Sequence, residues 1–235
     1  MTKPVLSLAE AVAPITDGAT VMISGFGGSG APIELVHALI DHGAKGLTVI
    51  NNNAGTGQIG LAALIRERRV EKMICSYPRT SDARNFTELY LAGKIDLELS
   101  PQGVLAERIR AAGAGMPAFF TRTAAGTDLA KGKEQREIDG VLYVMETWLK
   151  ADFALVKADR ADLAGNLTYR LSARNFGPIM CMAATTSIVQ AREILPKGGI
   201  DPDMVITPGI FVDSIVHAPE PQQEEILIRE GARYP

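Results

Sequence analysis

Between residues 20 and 112 a short β-branched run passes four times into an amphipathic helical pattern: 20–24 then 32–41, 47–51 then 59–67, 72–76 then 83–92, and 95–99 then 104–112. Strands joined through helices can pair only in parallel, so the expected fold is α/β, a mostly parallel open sheet with flanking helices. The helix signals agree. Pro32 stands at a first turn, Ile33, Val36, Leu39 and Ile40 share one face, and Gly43 follows the end. Gly93 and Gly113 repeat that stop signal. Open α/β sheets bind ligands beyond the carboxyl ends of their strands, so the loops to read are 25–31, 52–58, 77–82 and 100–103.

The second half follows a different pattern. Runs 141–146 and 151–158 read as neighbouring strands, 167–170 as a short one and 178–185 as a buried helix, with further strands at 188–194, 204–206 and 210–216. Residues 123–140 are polar and Gly-rich and read as an excursion from the sheet. Residues 1–217 are expected to form one α/β domain. The stretch 218–235, with three Pro and alternating acids, is expected to be a C-terminal tail, either a packed arm or a disordered end.

Composition removes several classes of function. Twenty-seven acids against 24 Lys plus Arg leave a formal charge of −3, so no basic field invites nucleic acid. The longest uncharged apolar stretch, 111–120, holds two Gly and a Pro and is too short to cross a bilayer. The first fourteen residues carry no apolar core of a secretory signal, which makes the cytoplasm the expected location. Cys75 and Cys181 each lie in an apolar run and read as small buried hydrophobes of a reducing compartment. His37, His42 and His217 lack the spacing of a metal site, and no nucleophile elbow is present, although Gly28-Ser29-Gly30 comes near one.

The strongest local motif runs from Asp17 to Pro32, where an apolar strand enters a glycine loop and then a helix. Gly25, Gly27 and Gly30 fit G-x-G-x-x-G, which lets backbone approach phosphate at a helix N-terminus and raises a nicotinamide-linked oxidoreductase as a rival. That rival requires an acidic residue about twenty positions on, at the end of the second strand. Asn51-Asn52-Asn53 stands there instead.

Read with its surroundings, the same segment resembles the first signature of the family I CoA-transferases: Asp-Gly, an apolar strand, then Gly-Gly-Phe-x-x-x-Gly-x-Pro. Ser24 stands where that pattern usually has its first Gly. Asn52-Asn53-Ala54-Gly55, Ser100-Pro101-Gln102-Gly103 with Leu105 to Ile109, Phe153 to Ala158, Gly165-Asn166-Leu167 and Ala173-Arg174-Asn175-Phe176 are similar to the family in the same order. The resemblance implies an α subunit. Its nucleophilic Glu would come from a Ser-Glu-Asn-Gly motif on a separate β subunit, and that motif is missing from this sequence. Glu34, Glu88 and Glu107 fall on helical patterns and read as solvated or paired carboxylates.

Gln102, between Pro101 and Gly103 after a strand, is the catalytic candidate, because its amide can donate to an oxyanion without bringing a titrating charge. The resemblance implies that role, shared with a backbone amide of the other subunit. The expected substrate- or CoA-binding residues are Gly25, Phe26, Gly27, Gly30, Asn52, Asn53 and Arg79. The asparagines could equally close a strand with Asx turns, and Arg79 could be a solvated cation or a bidentate grip on a carboxylate. Segments 77–82 and 175–180 resemble the 3-oxoadipate-using members more than the acetoacetate-using ones. The resemblance thus implies succinyl-CoA as donor, a 3-oxoacid acceptor, coenzyme A as substrate, and no metal or redox cofactor. Acetoacetate or a short fatty acid as acceptor, a nicotinamide enzyme, and a non-catalytic small-anion-binding domain are the alternatives. An acceptor competition assay, nicotinamide binding, and a neighbouring β-subunit sequence discriminate them in turn.

Overall fold

The computed structural model describes residues 2–235. In chain order its elements are β1 (Val5–Leu6), α1 (Leu8–Val12), β2 (Thr20–Ile23), α2 (Ile33–His42), β3 (Leu47–Ile50), α3 (Gly60–Arg66), β4 (Val70–Cys75), α4 (Arg84–Leu91), β5 (Asp96–Leu99), α5 (Gln102–Gly113), β6 (Ala118–Thr121), β7 (Gln135–Ile138), β8 (Val141–Thr147), β9 (Ala151–Asp162), β10 (Leu167–Thr168), α6 (Gly177–Ala183), β11 (Ala184–Leu195), β12 (Ser214–His217) and α7 (Glu224–Arg229).

The main sheet has the order β1-β12-β11-β9-β2-β3-β4-β5, every neighbour pair parallel, with β10 added antiparallel to β9. From β2 the chain winds outward to β5 on one side. Its second half fills the other side from β9 outward, so the winding reverses between β2 and β9. Alternate residues of each strand serve two cores. Val21, Ile23, Val49, Met73 and Leu155 pack with Leu35, Leu39 and Leu64 of α2 and α3, whereas Met22, Ile50, Ile74, Ala154 and Val156 pack with Leu105 and Ile109 of α5 and Met180 of α6. Burial on both faces explains why these strands read as unbroken apolar runs. Each fully buried Leu adds about 1.5–3 kcal/mol. Gly43, at φ +94°, ends α2 in the left-handed region, as its place in the sequence predicts.

Several expectations are corrected. Runs 141–146 and 151–158 are not neighbours. β8 lies between β6 and β7 in a separate three-stranded antiparallel sheet, and β9 sits at the centre of the main sheet. Their burial differs accordingly: β8 alternates along most of its length, as a one-sided strand does, while β9 is buried through Ala154–Ala158. The expected strand at 204–206 is replaced by a 3₁₀ turn over Pro202–Met204, and of run 210–216 only residues 214–216 are strand, within β12 (Ser214–His217). Gly209 lies against the Ala164 backbone, where a Cβ would collide with the Ala164 carbonyl, and it opens a further 3₁₀ turn over Gly209–Phe211. The excursion at 123–140 supplies a 3₁₀ turn and β7. A helix at 8–12 escaped sequence reading, though its signal was present: Ser7 and Glu10 form a reciprocal capping box.

Arg108 couples α5 to the smaller sheet. Its guanidinium donates to the Thr147 carbonyl at 2.8 Å and to Glu98 Oε1 at 2.9 Å, and lies 3.9 Å from Glu146, which also holds Lys133 at 2.6 Å. The stretch 218–235 is a packed arm: Tyr234 N–H donates to the Gln58 carbonyl, its hydroxyl donates to Asp41, and Arg66 donates to its carbonyl at 2.8 Å.

Candidate functional site

The loops after β2, β3, β4 and β5 adjoin one another along the carboxyl edge of the sheet. Beyond β3, three consecutive asparagines form an interlocked turn. Asn51 Nδ2 donates to the Ile23 carbonyl at 2.7 Å, Asn51 Oδ1 accepts from Asn53 N at 2.8 Å, and Asn53 Oδ1 accepts from Gly55 N at 2.7 Å. All three are buried, and these bonds satisfy polar groups that water would otherwise have to reach. Gly55, at φ +77°, admits no side chain, because a Cβ would collide with the backbone of Ala62. Asn51 and Asn53 therefore make the Asx turns that sequence allows as the structural reading of this tripeptide.

Asn52 faces the other way. Its carbonyl accepts from Ser76 N and Tyr77 N at 3.1 Å, and its side-chain oxygen accepts from Ser76 Oγ at 2.8 Å and from Gln102 Nε2 at 3.0 Å. Gln102 is exposed and opens α5 itself, two residues before the expected helix start. The first amides of that helix point toward the same edge. Gln102 and Asn52 are thus in direct contact. Ser76, which sequence reading left as a strand end, joins them.

The glycine loop is closed by its own side chains. Ser24, where a glycine is usual, is fully buried; its hydroxyl donates to the Gly30 carbonyl at 2.8 Å and accepts from Lys157 N at 3.2 Å. Phe26 and Ser29 exchange backbone hydrogen bonds at 3.0 and 3.1 Å. A Cβ at Gly30 would stand 2.6 Å from the Ala173 carbonyl, and one at Gly28 would stand 2.9 Å from Glu225 Cγ. Protein, not open space, meets the loop at these two glycines. Gly25 (φ +129°) and Gly27 (φ +56°) take the conformations that favour glycine, and Phe26 is 48% exposed at the tip.

Arg79 is exposed on the loop after β4, beside an open cleft lined by Thr80, Asp82 and Thr87, and has no hydrogen-bond or ion-pair partner among the described residues. Its neighbour Arg84 is held by Asp82 through two bonds of 2.8 and 3.0 Å. Thr80 Oγ1 donates to the Gly55 carbonyl at 2.8 Å, which joins the Arg79 loop to the asparagine turn.

Of the three glutamates on helical patterns, Glu34 accepts from Gln190 and from Gln222 N at 2.6 Å, Glu107 pairs with Arg110, and Glu88 is exposed on α4. Burial pushes both thiols up to about 12, so Cys75 and Cys181 are poor nucleophiles. Burial also pushes His37 below the usual range, while its Nε2 accepts from Gly60 N at 3.0 Å. Among the described residues no cluster of three His, Cys, Asp or Glu could hold a metal ion. Among the described residues no helix is long and apolar enough to cross a membrane. A carboxylate missed in the sequence, Glu224, lies buried beside the glycine loop near Lys157; burial raises its pKa to about 7.

A profile of the coenzyme A transferase family matches residues 5–218. The chain belongs to that family. This CoA-transferase chain is 59% identical over 210 residues to a subunit of the 3-oxoadipate CoA-transferase of Pseudomonas putida, an alignment covering 89% of this chain and 91% of the relative. It is 50% identical over 219 residues to a subunit of the succinyl-CoA:3-ketoacid coenzyme A transferase of Xanthomonas campestris pv. campestris, covering 92% and 90%. Among solved structures, the acyl-CoA transferase of E. coli O157:H7 in its thioester complex with CoA superposes with a TM-score of 0.81 at 25% identity over 94% of this chain. The chain spans about half the length of that protein, 51% of it. The CoA-transferase described here is an α-type subunit. Both sequence relatives are single subunits of larger enzymes, which implies a partner.

Proposed function

We propose that this subunit, with a separate β subunit, moves coenzyme A from succinyl-CoA to a 3-oxoacid, most favourably 3-oxoadipate. The observation that carries the reading is Gln102: an exposed amide at the carboxyl edge, with one Nε2–H engaged by Asn52 and the second left to donate. An oxyanion forming beside it would also meet the positive end of α5.

The route is ping-pong. A carboxylate of the partner's Glu attacks the thioester carbonyl; the C–S bond breaks, and CoA leaves as thiolate from an acyl-glutamyl anhydride. The thiolate attacks the glutamyl carbonyl, releasing succinate and leaving a glutamyl-CoA thioester. The acceptor carboxylate repeats the sequence in reverse and leaves with CoA. Each addition creates an oxyanion of the kind Gln102 can stabilise. Coenzyme A is a substrate, and no step needs a metal or redox group, because carboxylate and thiolate carry every transfer.

The free guanidinium of Arg79 supports a dicarboxylate acceptor, since the carboxylate of 3-oxoadipate distant from the reacting one needs a cation. The Xanthomonas relative supports the broader 3-ketoacid reading. Two buried free cysteines fit a reducing cytoplasm. The test is to load the two-subunit complex with succinyl-CoA, treat it with hydroxylamine and locate the modified residue by mass spectrometry. A hydroxamate on the partner's Glu is expected, with this chain inactive alone. Modification of a Glu on this chain would overturn the division of labour.

A further inference from the structure

We propose that Asn52 and Ser76 are positioning residues that hold the Gln102 amide in its donating orientation, an inference that rests on the oxyanion role given to Gln102 above. Gln102 lies exposed at a helix end, and an exposed glutamine samples rotamers about three torsions, so holding it in one orientation costs conformational entropy. Along this edge one protein bond restrains it, the 3.0 Å contact to Asn52 Oδ1. The acceptor is itself immobile. Asn52 is 5% exposed, its carbonyl takes two backbone N–H groups from the end of β4, and Asn51 and Asn53 on either side are locked in Asx turns.

Ser76 completes the arrangement. Its hydroxyl donates to Asn52 Oδ1 at 2.8 Å, also lying 3.0 Å from the Asn52 carbonyl, so both lone pairs of the amide oxygen are filled, one by Ser76 and one by Gln102. The order Ser76, Asn52, Gln102 crosses three adjacent strand ends and transfers the rigidity of the sheet to one amide. Preorganisation of this kind strengthens a donor aimed at developing charge, because no reorganisation is needed as the reaction proceeds. Asn52 so placed acts through Gln102 rather than on substrate.

A double-mutant cycle in the assembled two-subunit enzyme, reading kcat and KM separately, tests this. Asn52→Ala should lower kcat about 10- to 100-fold, the scale of a misplaced catalytic group, with the KM for succinyl-CoA within about twofold. In a Gln102→Ala background the same change should cost less than about twofold. Ser76→Ala should lower kcat about three- to tenfold, Ser76→Thr should recover part of that loss, and Ser76→Ala should add nothing once Gln102 is alanine. Full additivity of Asn52→Ala and Gln102→Ala overturns the positioning role while leaving Gln102 as donor, and so does a rise in KM at unchanged kcat. Unchanged turnover in Gln102→Ala alone removes the oxyanion assignment, and the positioning role with it. Ser76→Ala, a milder change, decides the matter if the Asn52 variant does not assemble.

Discussion

The ammonium of Lys157, on the central strand β9, donates to the Gln222 carbonyl at 2.7 Å and fastens the C-terminal arm across the glycine loop. Just beyond that bond the arm brings Glu224 down onto Gly28 and Gly60. Burial raises the carboxyl to about 7 against an ordinary 4.5; Lys157 pulls the other way and Glu225 adds to the rise. A carboxyl raised in the folded state favours docking of the arm when protonated. The contribution is complete below about 4.5 and is lost as pH rises through about 7. Hydrogen-exchange protection factors within residues 224–234, which are corrected for the intrinsic rise of exchange with pH, should therefore fall from pH 5.5 to 8.5, and Glu224→Gln should flatten that profile. A wild-type profile already flat would contradict the argument.

Gln102→Ala should lower kcat by about 10² to 10³, the scale for one oxyanion donor, with assembly intact. Gln102→Glu should be slower still, since it sets like charge beside the developing oxyanion. Steady-state kinetics on correctly assembled complexes decide it, and near-normal turnover of the alanine variant refutes the role.

Arg79→Leu separates acceptors. For 3-oxoadipate the loss in kcat/KM should be about 10- to 100-fold, less than for a fully buried pair because Arg79 is exposed in this subunit. Acetoacetate, with no second carboxylate, should lose far less. Equal losses for the two acceptors would assign Arg79 to coenzyme A or to the fold.

Arg108→Ala should destabilise the subunit by about 1–3 kcal/mol, because it frees the Thr147 carbonyl and takes one of two cations from Glu98, which keeps Lys72, while Glu146 keeps Lys133. Urea unfolding of this chain measures the shift. A change under about 1 kcal/mol would mean that water replaces the guanidinium without loss, as at an exposed pair.

The parallel half of the fold was legible because each strand serves two cores and each helix shows one apolar stripe. Its boundaries fell within two residues of the expected ones. Less legible was the partition of the second half: residues 141–146 and 151–158 are both β-rich, and nothing local tells a chain to change sheets at Trp148–Lys150. The edge positions of Gln102, Asn52, Asn53 and Arg79 follow from strand ends. What the sequence hid was contact between distant segments. Ser76 looks like a strand's last residue, and Glu224 like one acid among several in a polar tail, until folding sets them beside Asn52 and Gly28. Ser24 is the intermediate case, visible as a departure from a glycine pattern but explained only by its bond to the Gly30 carbonyl.

The pairing of β2 with β9 has a consequence for how the chain is made. Val21 meets Phe153, so one edge of an early strand finds its neighbour only after some 130 further residues have been added. At about 5–20 residues per second, that edge waits roughly 6 to 26 seconds on the ribosome, apolar and unpaired beside strands that have already found each other. The nascent first half is a ready template for wrong pairing during that interval. Truncated chains ending before residue 151 should aggregate, and supplying residues 141–235 as a separate polypeptide during synthesis should rescue them.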